Sequence, residues 1–165
     1  MTNAKKVAYC AMLTALSMIF SYIEALIPVF VGIPGIKLGL SNLVVVAGLS
    51  FLPAGWVLLV LVLKVTLVSF LFGNMSVWIY SMAGGVLSFL VMLLLKRVKG
   101  VSTIGVSMAG GVSHNIGQLF VAVCMVGSAA PLLYLPVLIV AGAVSGTAIG
   151  AAAYRVHGLV GRMVR

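Results

Sequence analysis

The chain has 165 residues, 64% of them hydrophobic and only 7% charged, with a formal net charge of +9 and a mean hydropathy of +1.34. A soluble domain carries about a quarter charged residues, so this composition cannot cover a water-facing shell, and lipid is the solvent that suits it. Ten Lys and Arg against a single acid do not point to nucleic acid either, because they sit in short gaps between apolar runs and form no stripe interleaved with aromatics.

A membrane-spanning helix needs about 20 apolar residues. The first apolar run, Val7–Pro28, follows the basic tip Lys5–Lys6. It is too long for a signal peptide and lacks an A-x-A end, so it reads as a retained first helix. A GIPG turn at 32–35 leads to a short second run, Leu38–Leu52, expected to be tilted or sheltered by its neighbours. After PAG at 53–55 come Ala54–Phe72, the FGNMS connection, Ser76–Leu95, the charged loop KRVKG at 96–100, and Val101–Val126. GSAAP then introduces the last run, Leu132–Tyr154. The expected fold is an all-α integral membrane protein: a compact bundle of six transmembrane helices forming one domain over 1–165.

Charge orients the bundle. Lys5 and Lys6, then Lys96, Arg97 and Lys99, then Arg155, Arg162 and Arg165 make eight of the ten basic residues. Six crossings put all eight on one side, whereas five would split them. The positive-inside rule then places both termini and the loop at 96–100 in the cytoplasm, in a multi-pass protein of the bacterial plasma (inner) membrane. Small residues offer close helix contacts: Gly142, Gly146 and Gly150 on the sixth helix, Gly110, Gly111 and Gly117 on the fifth, Gly84 and Gly85 on the fourth, and Ala8, Ala11 and Ala15 on the first. Cys10 and Cys124 fall near opposite faces, too far apart for a disulfide, and no His/Cys spacing suggests a metal.

Two basic residues, Lys37 and Lys64, escape the cytoplasmic count. With Glu24, the only acid, and His114 they lie within or just outside the membrane, where ionisable groups are costly and mark function or a structural ion pair. Glu24 lies about 6 Å below the outer end of its helix and Lys64 about 12 Å, a difference a lysine can span by snorkelling. Thr14, Ser17, Ser21 and Glu24 form one stripe, as do Ser107, Gly111, His114 and Gln118, with Asn115 beside the second. Ser41 and Asn42 begin the second helix, and Asn74, Trp78 and Tyr80 lie at the outer ends of the third and fourth. The polar set gathers in the middle and outer half, as a pocket opening outward would require. Residue by residue, the aromatics also fit an interfacial belt, and Asn42 or Gln118 also fits helix–helix bonding.

In PGIKLGLSNLV (34–44), FGN (72–74) and GGVSHNIGQLFVA (110–122) the chain resembles the small membrane family known as Gx transporters, also labelled heptaprenyl diphosphate synthase component I. The likeness runs from AMLTALS to YLPVLI. More distantly, the layout resembles the substrate-binding S components of energy-coupling factor transporters. That resemblance implies a substrate in the outer half under the loop joining the first two helices, and a small-residue face on helix 1, matched by Ala11 and Ala15, that docks on a coupling protein.

The synthase label can be weighed on chemistry. All-helical prenyl synthases hold Mg²⁺ against a diphosphate with Asp-rich motifs, and this chain has no Asp and one Glu. It also has no GxSxG, HExxH or P-loop, so it reads as a non-enzyme that would borrow any ATPase from other chains. The leading expectation is a subunit capturing a small molecule with an anionic or acceptor group, bound by Glu24, Lys37, Asn42, Lys64, Asn74, Trp78, Tyr80, His114, Asn115 and Gln118. The loop Gly32–Lys37 would be its lid, and a separate ATPase and membrane coupling protein would energise it. The alternative is a noncatalytic membrane subunit tied to isoprenoid or quinone synthesis, or to a quinone or flavin electron-transfer assembly. Proton-coupled carriage through Glu24 and His114 is a third reading.

Overall fold

Lipid offers backbone amides no partner, so a crossing segment must close its own hydrogen bonds as a helix. The computed structural model describes residues 2–26 and 39–163, with Ala25 and residues 156–163 as backbone alone. Among these residues every regular element is helical: α1 (Asn3–Leu26), α2 (Leu40–Phe51), α3 (Ala54–Phe72), α4 (Met75–Leu95), α5 (Thr103–Val126) and α6 (Leu135–Met163), the last preceded by a 3-10 turn at Ala130–Tyr134.

The helix boundaries have local causes. Asn74 starts α4, its side chain accepting from the Val77 amide at 3.0 Å, and Ser102 starts α5 by accepting from the Gly105 amide at 3.1 Å. Gly127 ends α5 at φ 67°, a left-handed conformation that glycine enters without steric cost. Between α2 and α3, Pro53 forces the change of direction: Leu52 is extended at φ −111°, ψ 150°, as a residue before proline prefers. The first helix starts earlier than its apolar run, so Lys5 and Lys6 lie inside α1 rather than ahead of it.

Five helices, α1, α3, α4, α5 and α6, are long and apolar enough to cross a membrane. All six expected helices are present, and the one that falls short of this length is the second, the run expected to be tilted or sheltered. With 12 residues, α2 rises only about 18 Å, against a hydrocarbon core of about 30 Å, and does not span unaided. It is sheltered, as its length demands: Val44 through Leu49 are all buried.

Contacts between neighbours give their directions. Gly142 packs on Gly111, Gly146 on Ser107 and Gly150 on Ile104, so numbers rise along α6 as they fall along α5. The same opposition relates α4 to α5 (Gly84 on His114, Gly110 on Met92) and α3 to α4 (Gly85 beside Leu61, Trp78 bonded to Thr66). Gly48 of α2 touches Leu13 and Val57, while Gly39 meets Glu24 and Asn42 meets Lys64, so α2 runs opposite to both α1 and α3. One apolar cluster joins the bundle, from Cys10 and Leu13 of α1 through Val45, Val57, Leu61 and Phe89 to Val106, Ile149 and Ala153. Outward-facing Phe70, Phe120, Val140 and Val144 stay exposed, as side chains facing lipid should.

Candidate functional site

A cavity of about 390 Å³ lies among the helices, and every one of the six contributes to its wall. Its size falls within the range of small-molecule sites. On α4 the lining residues Val77, Ser81, Gly85, Ser88 and Met92 are spaced 4, 4, 3 and 4, one face of the helix. On α5 the stripe Ser107, Gly111, His114 and Gln118 faces the same space, with Gly110 and Asn115 beside it. The glycines matter here through what they admit: a Cβ on Gly84 would lie 2.7 Å from the His114 carbonyl oxygen, and one on Gly110 would lie 2.6 Å from the Met92 sulfur.

The polar chemistry is concentrated where α1, α2 and α3 meet. Lys64 is 5% exposed, and a buried ammonium is tolerable only where its protons find acceptors. It donates to Asn42 Oδ1 at 2.8 Å and to Ser41 Oγ at 3.2 Å, both in the first turn of α2. With their oxygens occupied as acceptors, the Asn42 amide nitrogen and the Ser41 hydroxyl proton are oriented as donors. This wall is therefore rich in donors. Glu24 answers a different need: its Oε1 accepts from the backbone amide of Gly39 at 2.6 Å, immediately before α2. Across the cavity, Asn115 Nδ2 donates to the Leu138 carbonyl at 2.8 Å and bridges α5 to α6.

The cavity thus brings together Glu24, Asn42, Lys64, His114, Asn115 and Gln118 of the residues singled out in the sequence. Three others stand outside its lining. Asn74 is occupied in capping α4, Trp78 turns toward α3 and donates from Nε1 to Thr66 Oγ1 at 3.2 Å, and Tyr80 lies roughly 100° round α4 from the lining stripe. Lys37, the Gly32–Lys37 loop, and the side chains of Arg162 and Arg165 lie outside the described residues. On α1 the polar stripe divides: Ser21 and Glu24 reach the cavity, while Thr14 bonds back to the Cys10 carbonyl at 2.8 Å and Ser17 is fully buried. Ala11 and Ala15 are exposed on the outer face of α1.

Sequence reading missed the hydroxyls of Ser69, Ser81, Ser88 and Ser145, which also line the cavity. For α4 the signal was available, since Ser81, Gly85 and Ser88 share a face. The polar lining is also less lopsided than expected. Along α4 the lining runs from Val77 to Met92, about 22 Å of helix, with hydroxyls at Ser81 and Ser88 on either side of the middle, and Gly110 leaves room for Met92 at the far end.

These features define an all-helical, multi-pass membrane protein with a cavity whose wall mixes polar and apolar side chains. Within that class, the chain belongs to the family described as heptaprenyl diphosphate synthase component I, whose match covers residues 13–156. No curated protein and no solved structure matches it.

Proposed function

We propose that the protein is a membrane subunit that captures a small molecule bearing an anionic or hydrogen-bond-accepting group, in the manner of an S component, for uptake driven by separate ATPase and coupling chains. The observation that carries this reading is the donor wall of Lys64, Ser41 and Asn42 facing a cavity that also takes serine hydroxyls from α3, α4, α5 and α6. A hydrogen bond from a charged donor contributes about 1.5–3 kcal/mol. Lys64→Met should therefore weaken binding at least tenfold. The test is native mass spectrometry of the purified chain for a retained small molecule, with uptake measured in cells carrying Lys64→Met or Asn42→Ala. No retained molecule and unchanged uptake in both variants refute the reading.

The family description favours a second reading, that of a noncatalytic partner for a synthase chain. With no Asp and one Glu already bonded to Gly39, this chain cannot build a diphosphate–Mg²⁺ site, so the partner would supply it. Pull-down from native membrane separates the two: an ATPase with a coupling protein supports uptake, and a prenyl synthase supports the second reading.

A further inference from the structure

We propose that α2 is held in register by two charges from neighbouring helices, Glu24 of α1 at the amide of Gly39, the residue leading into it, and Lys96 of α4 at the Leu49 carbonyl near its end, and that this clamp sets the donor wall. Both are positioning residues. The clamp stands without any ligand, and only its consequence for binding rests on the function proposed above.

The need for a clamp follows from the sequence of α2, LSNLVVVAGLSF. Three consecutive valines, two serines, an asparagine and a glycine are weak helix formers in water, and with 12 residues α2 is the shortest of the six helices. One backbone group at each end is met from another helix. At the start, the Gly39 carbonyl accepts from the Asn42 amide at 2.8 Å, but the Gly39 amide, in the residue before α2, finds its acceptor in Glu24 of α1. At the other end, the Leu49 carbonyl would pair with the amide of residue 53, but residue 53 is Pro and has no N–H. Lys96 Nζ donates to that carbonyl instead.

The signs match the helix. A carboxylate sits at the positive end of the α2 dipole and an ammonium at the negative end. Glu24 is the only acid in the chain, so no other carboxylate can take its place. This accounts for a lone acid retained in an apolar run, and it gives Lys96 a role beyond cytoplasmic charge. Ser41 and Asn42 lie two and three residues beyond Gly39, so the register fixed at Gly39 carries directly to the acceptors of Lys64.

Hydrogen exchange by mass spectrometry on the full chain in lipid nanodiscs tests the clamp with no ligand added. In Glu24→Gln, which keeps an acceptor but loses the charge, and in Lys96→Met, amides of 39–51 should exchange at least fivefold faster while those of α5 and α6 hold their rates. Lys96→Arg should restore the wild-type rate. Should Lys96→Met fail to accumulate, Lys96→Gln, which keeps a donor without charge, asks the same question. Unchanged α2 exchange in both neutral variants, equal acceleration in all helices, or no rescue by Arg overturns the clamp. Because the readout is independent of binding, an empty cavity would refute the capture function and leave the clamp standing.

Discussion

At the residue scale, the absence of a side chain shapes this protein as much as its presence. Gly84 lies under the backbone of α5, where a Cβ would meet the His114 carbonyl oxygen at 2.7 Å and the Gln118 side chain at 2.9 Å, and Gly117 faces Gly84 from the other side. A carbonyl oxygen fixed in a helix cannot yield as a flexible side-chain tip can, so α4 and α5 must part. Gly84→Ala should cost about 1–3 kcal/mol by overpacking, lower the melting temperature in detergent, and disturb the cavity residues His114 and Gln118. Gly55, in the first turn of α3, has nothing within 4 Å of its Cβ position, and Gly55→Ala should raise stability by about 0.5–1 kcal/mol through the unfolded chain. Similar melting shifts for the two variants would contradict this account of the α4–α5 seam.

At the element scale, the start of α4 separates a cap from a ligand contact. Asn74 looks like a binding residue in sequence, being polar and at a helix end, but its side-chain oxygen accepts from the Val77 amide. Asn74→Ala should cost about 1 kcal/mol of stability, and Asn74→Asp, an equally good cap, almost none. On the uptake reading proposed above, transport should change in neither variant; a loss in the stable Asp variant would return Asn74 to the site. The example shows what was legible. Long apolar runs gave α1, α3, α4 and α5 to within four residues and the start of α6 to within three, though α6 continues nine residues past Tyr154 into a more polar stretch; helical spacing placed His114 and Gln118 on one face, because both signals are local. Whether a polar side chain turns inward or back onto its own helix was not local: Thr14 and Ser21 share a stripe, yet one bonds to Cys10 and the other lines the cavity. Nor could spacing reveal that Glu24 would meet Gly39 across the intervening segment, since that contact depends on how α1 and α2 pack.

At the scale of the whole molecule, the short helix decides the topology. Were α2 to turn back without crossing, five spans would remain, and the charges at the start of α1 would lie opposite those after α4. The contacts oppose this. α2 runs antiparallel to both α1 and α3, and Lys96 at the end of α4 reaches the Leu49 carbonyl near the end of α2, so these two helices finish at one face. That face also receives Lys5 and Lys6 from the start of α1 and Arg155 from α6, as the positive-inside rule favours. Single cysteines introduced by Val98→Cys and Met75→Cys, in a chain whose own Cys10 and Cys124 are replaced by Ala, sample the two ends of α4. Both native positions are exposed. In intact cells a membrane-impermeant maleimide should label the cysteine at 75 and spare the one at 98, and in inverted vesicles the pattern should reverse. Labelling of position 98 from outside would place the basic face against the rule and turn the cavity's Glu24 end toward the cytoplasm. A capture subunit would then load from the wrong side, and the uptake reading would fail even with the cavity intact.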